Sequence, residues 1–189
     1  KKKKNNDNKI NKIKNIFGKW TRTNYNSVVA TFYYNISRNK KIIIHDDNQY
    51  VSLYYIDDLL KVFHKLITNK NKKIYLNITK IHKIKVKDIA NKIKNFHKNI
   101  ANINLNDLKS RIDKNLYSTF ISFIPTNFFS FNVKSNIDDR GNFVEFLKSN
   151  NFGQVSFFSI NTKKSRGDHY HHSKVEQFLI LKGSAKIKY

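Results

Sequence analysis

Two histidines, His169 and His171, stand two residues apart, and Glu176 follows after a four-residue gap. On an extended chain, residues two apart point to the same face. The gap is long enough for a turn that brings the carboxylate back to the imidazoles. Two imidazole nitrogens and one carboxylate oxygen suit Zn²⁺, Fe²⁺, Mn²⁺ or Ni²⁺, and three protein ligands leave a position open for water or substrate. His172 should face the other way and is the weaker ligand. The plain alternative is a polar surface hairpin that happens to hold histidines. Glutamate argues against it: the chain uses Glu only at Glu145 and Glu176, so its place behind the histidine pair is not background composition. His169, His171 and Glu176 are therefore the expected metal ligands.

Such a cluster needs strands to carry it. After the single proline, Pro125, the stretches Phe128–Val133, Phe143–Phe146, Gln154–Ile160, Gly167–His172 and Gln177–Leu181 read as short strands between polar or glycine turns. Regular short strands without helices indicate a sandwich or barrel. The chain before Pro125 has another texture. Residues 1–12 are polar and low in complexity. Val28, Val29, Phe32, Tyr33 and Ile36 recur at helical spacing behind Ser27, a residue suited to cap a helix. Lys41–His45 and Tyr50–Ile56 read as strands, and Asp57 as the cap of a helix with Leu59, Leu60, Phe63, Leu66 and Ile67 on its apolar face. Lys73–Ile78 reads as a further strand. Ile89, Ile93, Phe96 and Ile100 define another amphipathic helix, and a last one covers Asp107–Phe123. Helices alternating with short strands predict an α/β layout. The expected division is residues 1–125 and 126–189, with the boundary near Pro125–Asn127.

Composition narrows the setting. Of 189 residues, 39% are hydrophobic and 14% aromatic, enough for a packed core. The absence of cysteine rules out disulfides and thiolate metal sites, and a cytoplasmic setting fits. No apolar run approaches the roughly 18 residues of a membrane helix, so no membrane partner is expected. The net charge of +24 suggests a polyanion. Yet only Arg22, Arg38, Arg111, Arg140 and Arg166 are arginine, the side chain that reads phosphate and guanine bidentately. Lys, Asn and Ile are inflated together, the pattern of AT-rich codons. A solvated basic surface is expected, not a nucleic-acid site. The chain lacks methionine and starts and stops inside patterned sequence, so it is expected to be an internal fragment.

The pattern His169-x-His171-x4-Glu176-x6-Gly183 resembles the first motif of the cupin superfamily, with Lys163 where that motif opens on glycine. Three further stretches, Asn136–Lys148, Gly153–Ser156 and Arg166–His172, resemble the cupin half of the CapF-type bifunctional capsular-polysaccharide enzymes. Asn15–Trp20, Asn24–Phe32, Leu53–Asp58 and Leu116–Pro125 resemble the reductase half of the same family, in order, over about residues 13–189. The resemblance implies the α/β C-terminal part of a Rossmann-type short-chain dehydrogenase/reductase, epimerase-like, followed by the N-terminal half of an all-β cupin (double-stranded β-helix). It implies C3 epimerisation by the cupin and NADPH-dependent C4 reduction by the reductase, acting on a UDP-2-acetamido-2,6-dideoxy-4-ketohexose on the route to UDP-N-acetyl-L-fucosamine. It implies zinc as the metal, a UDP-linked amino sugar as the substrate and a homodimer for the intact protein.

In the same family the phosphate-cradling glycines and the catalytic Tyr-x-x-x-Lys precede these residues, so the NADPH fingerprint is expected outside the chain, and the chain alone is expected to be inactive. Asn15 and Gly18 should lie near the nicotinamide or sugar. Asn24, Asn26 and Ser27 begin a helix, where amide donors favour a diphosphate, with ordinary capping the equal alternative. Tyr170, His172 and Lys174 are the candidate acid/base groups beside the metal. Asp57 and Asp58 are read as capping residues, and Arg140 with Glu145 as a buried structural pair, with substrate contacts the alternative. Three rivals remain: a metal-dependent cupin isomerase or oxygenase on another small molecule, a basic nucleic-acid-binding protein, and a reductase whose cupin half is only structural.

Overall fold

The computed structural model describes residues 13, 15–68, 81–149, 151 and 153–188. Strand β1 (Asn15–Phe17), helix α1 (Val28–Ile36) and strand β2 (Tyr50–Tyr55) form a β-α-β unit, with β1 parallel to β2 and Phe17 opposite Tyr55. Parallel strands need such a crossover, because a tight turn can only reverse the chain. Helix α2 (Ile56–Thr68) follows β2 without a loop, and β3 (His82–Lys85) returns antiparallel to β2. Helices α3 (Val86–Ala101) and α4 (Arg111–Ile121) complete this half.

The local chemistry explains the boundaries. The Ser27 hydroxyl accepts from the Ala30 amide and caps α1. Ser110 and Asp113 form a reciprocal capping box at the start of α4. The core lies on the helical faces: Val29, Phe32, Tyr33 and Ile36 of α1 meet Ile89, Ile93 and Phe96 of α3, Leu116 and Phe120 of α4, and Phe17 and Leu53 from the strands.

The second half is a three-stranded antiparallel sheet in the order β4 (Ser135–Asp138), β5 (Gly141–Ser149), β6 (Gly153–Phe158), with a register shift between Glu145 and Leu147. Gly141, at φ +133°, closes the β4–β5 turn; a Cβ there would sit 2.3 Å from the Ser159 carbonyl oxygen. The two halves are stitched together: the Leu105 amide donates to the Lys148 carbonyl at 2.7 Å, and the Lys148 amide to the Ile103 carbonyl at 3.0 Å. Among the described residues, no apolar side chain beyond Phe123 is buried.

Several sequence expectations are corrected. Lys41–His45 is not a strand: Ile42 and Ile44 pack partly on the core while Ile43 is exposed, an alternation that no strand among the described residues pairs with. Phe128–Val133 holds the end of a 3-10 turn (Thr126–Phe128) and irregular chain. Gly167–His172 and Gln177–Leu181 make no ladder, because no described strand lies beside them. Asp57 sits inside the first turn of α2, which begins at Ile56, and α4 is shorter than Asp107–Phe123. Of the α2 face, Leu59 is buried but Leu60 and Ile67 are exposed. The strand expected at Lys73–Ile78 lies outside the described residues. Arg140 pairs with Asp138 and not with Glu145, which stands in the wall of an open cleft of about 270 Å³ between the end of α3 and β4–β5.

Candidate functional sites

Ligands of open α/β sheets bind beyond the carboxyl ends of parallel strands. Here β1 ends at Phe17 and β2 at Tyr55, so residues 18–27 form that edge. Asn15 is an exposed residue of β1. Gly18 is buried against α2, where a Cβ would lie 2.1 Å from Ile56 Cγ2, so its role is close packing of the edge. Asn24 and Asn26 take left-handed φ values of 54° and 51°, which Asn tolerates better than most residues, and both are exposed. The Asn24 amide donates to Thr31 Oγ1 at 3.3 Å. Ser27 is occupied in capping, so of the predicted residues Asn15, Asn24 and Asn26 are the ones open to solvent. No acidic side chain stands in the first turn of α1.

The structure adds three residues the sequence reading missed. Trp20 is 84% exposed at φ 60°, an uncommon conformation for so bulky a residue. The Arg22 guanidinium lies 5.1 Å from the centre of the Tyr25 ring, and that ring is itself exposed. An arginine between two aromatics in an asparagine-rich loop was the signal available.

Behind this edge, α2, β3 and α4 bring Asp58, His82 and Arg111 together. Asp58 is paired with Arg111, while Asp58 Oδ2 and His82 Nε2 are shielded from solvent without a hydrogen-bond partner among the described residues. Burial lowers the His82 pKa, and Arg111 adds to this against the opposing pull of Asp58. The Tyr55 hydroxyl is raised by burial, offset in part by Ser118.

In the second half, the His169 and His171 rings lie 4.9 Å apart, and the Tyr170 and His172 rings pair 5.1 Å apart. His171 Nε2 is 3.5 Å from Glu176 Oε1. His169 Nδ1 is 2.9 Å from the Gly167 carbonyl. A carbonyl only accepts, so Nδ1 carries the proton and the Nε2 lone pair stays free to ligate. Lys174 is exposed. The donor types suit zinc, and the His171–Glu176 spacing is close to that of two ligands of one tetrahedral ion. The fit is partial: among the described residues, no three donors converge closely enough to hold an ion.

Residues 136–189 match the family model described as the polysaccharide biosynthesis C-terminal domain. Over 181 residues, 95% of this chain, the sequence is 40% identical to the UDP-2-acetamido-2,6-beta-L-arabino-hexul-4-ose reductase of Pseudomonas aeruginosa, of which it is a close homologue. It matches the crystal structure of the capsular polysaccharide assembling protein CapF from Staphylococcus aureus with a TM-score of 0.77 and 35% identity, covering 85% of this chain and 44% of that one. CapF with the inhibitor 3-isopropenyl-tropolone gives a TM-score of 0.75 at 35% identity, covering 85% of this chain and 47% of that one. The chain spans about half the length of these relatives: 49% of the Pseudomonas protein. Among the described residues, no helix is long and apolar enough to cross a membrane.

Proposed function

We propose that this chain is part of a bifunctional nucleotide-sugar enzyme that epimerises C3 and reduces C4 of a UDP-2-acetamido-2,6-dideoxy-4-ketohexose in capsular polysaccharide synthesis. In this reading residues 1–125 close a Rossmann-type reductase domain and residues 126–189 open a cupin. The observation that carries it is the sequence match across 95% of the chain to a protein named as a reductase of a 4-keto UDP-sugar.

The chemistry is coherent. A C4 ketone acidifies the C3 proton, so its removal from one face and return to the other inverts C3. NADPH, whose fingerprint is expected outside this chain, would supply the hydride that reduces C4, and a proton would go to the oxygen. In this division of labour Asn15, Asn24 and Asn26 offer amides to the sugar and diphosphate at the edge of the β1–β2 pair, with Gly18 and Ser27 shaping that edge. Tyr170, His172 and Lys174 are the groups able to move the C3 proton. His169, His171 and Glu176 would hold zinc, which when bound supplies a Lewis acid for the ketone oxygen. His169 is prepared for this by its Nδ1 hydrogen bond to the Gly167 carbonyl.

The test uses the intact protein, the keto-sugar nucleotide and NADPH in deuterated water. Wild-type enzyme should wash deuterium into C3 and consume NADPH. His171→Ala and Glu176→Ala should stop the C3 exchange yet still reduce substrate already epimerised. If both variants exchange C3 as the wild type does, the cupin half is structural.

A further inference from the structure

The histidine segment has almost nothing to hold it. From Ser159 to Lys188, every described residue is exposed except Arg166, whose side chain is only 16% exposed. Arg166 lies three residues before His169, and its Nη2 donates to Asp138 Oδ1 at 3.0 Å. The same carboxylate closes its own turn. Asp138 Oδ1 accepts from the Arg140 amide at 3.0 Å, and Oδ2 accepts from Arg140 Nε at 3.1 Å and Nη2 at 2.6 Å.

These bonds, led by the Arg140 side chain, hold the Asp138 carboxyl below the usual range. Ahead of Arg166 the chain is laid along the same turn: the Ser159 amide donates to the Asn142 carbonyl and the Asn161 amide to the Arg140 carbonyl. Lys164 pairs with Asp139, but that carboxylate is 73% exposed. Beyond Arg166 the described residues show the ring contacts among His169–His172, the His169–Gly167 bond, the His171–Glu176 pair, the Phe158–Phe178 contact and the electrostatic pull between Asp168 and Arg140.

We propose that Asp138 is a positioning residue for the His169-x-His171 pair, acting through Arg166: the β4–β5 turn holds one end of the donor segment by this partly buried grip. A carboxylate is required, because one group must serve two guanidiniums at once. The neutral amide of Asn has a single acceptor oxygen and no charge to offer the second arginine. The consequence for a metal rests on the ligand reading above; the grip itself does not.

The experiment is done on the intact protein, with cobalt(II) as the probe metal and its ligand-field spectrum as the readout, beside backbone nitrogen order parameters of residues 166–172 in the metal-free protein. Asp138→Asn and Arg166→Gln should both lower the order parameters of that segment and bind cobalt about tenfold more weakly, the scale of removing an outer support of a metal ligand. Arg166→Lys should recover part of both. Asp139→Asn, which cuts the exposed Lys164 pair, should change neither. Arg166→Gln leaves the Asp138–Arg140 turn intact, so it reads the grip even if Asp138→Asn disturbs the hairpin. Unchanged order parameters and cobalt affinity in Arg166→Gln overturn the proposal. So does an Asp139→Asn variant that behaves like Asp138→Asn. If wild-type protein takes up no cobalt while the order parameters still fall in the variants, the metal reading fails and the positioning role stands.

Discussion

Tyr33 shows what a single side chain does in this protein. Its hydroxyl donates to the Leu116 carbonyl at 3.0 Å, and its ring stacks on Phe123 at 5.3 Å. It thereby ties α1 to α4 through the core, where burial raises its pKa well above the ordinary phenol value. Tyr33→Phe keeps the packing and removes this hydrogen bond while the Leu116 carbonyl keeps its place in the α4 ladder, so a loss of about 1 kcal/mol is expected in a denaturant titration. His82 gives a pH signature. Its folded pKa is lowered, so between that value and the ordinary imidazole value of about 6.5 the unfolded chain binds more protons. Stability is therefore expected to fall as pH drops through that window. Asp58→Asn removes the one group that raises His82, so the His82 NMR titration should move lower still. The sequence could not announce this cluster, because Asp58, His82 and Arg111 come from three elements that only the fold brings together. The histidine–glutamate pattern was legible because its residues are neighbours in the chain. Its partner Asp138 was not, since a carboxylate in a turn looks like any other solvated charge.

Helix caps and close approaches decide matters at the level of elements. Ser110→Ala removes half of a capping box and should cost α4 about 1 kcal/mol by thermal melting. Gly18→Ala would drive a methyl group into Ile56 Cγ2. A marked loss of stability is expected, and Ile56→Ala in the same chain should recover part of it by removing the clashing group. Without such recovery, the packing of the β1 end against α2 is not what Gly18 serves. The helices were readable from spacing: Ile89, Ile93 and Phe96 face the core, as a helical period requires. The strands were read less well for a physical reason. A helix satisfies its own backbone, whereas a strand exists only if a neighbour lies beside it. Lys41–His45 has the alternation but no pairing strand among the described residues, and β4 was unseen because its residues are all exposed.

At the scale of the whole molecule, packing is uneven. The first half holds the buried cluster, while Val175, Leu179 and Leu181 are 100%, 82% and 71% exposed. So much apolar surface in one segment should bind a hydrophobic dye. Leu179→Lys with Leu181→Lys should lower that fluorescence if the 175–181 segment is its source. The net charge of +24 should keep the chain dispersed at low salt and less so as salt screens it. The two halves were distinguishable in the sequence by texture, yet the contact between them was not, because Ile103–Leu105 carries no mark of a strand.

That contact has a dynamic consequence. Lys148 is bonded to the 103–105 turn on one side and opposite Gln154 of β6 on the other. A small sheet tethered only by residues 129–134 would reorient on its own. With its middle strand sewn to the end of α3, it has to turn in step with the helices. Nitrogen spin relaxation should then report one shared rotational correlation time for both halves, where beads on a string would give two.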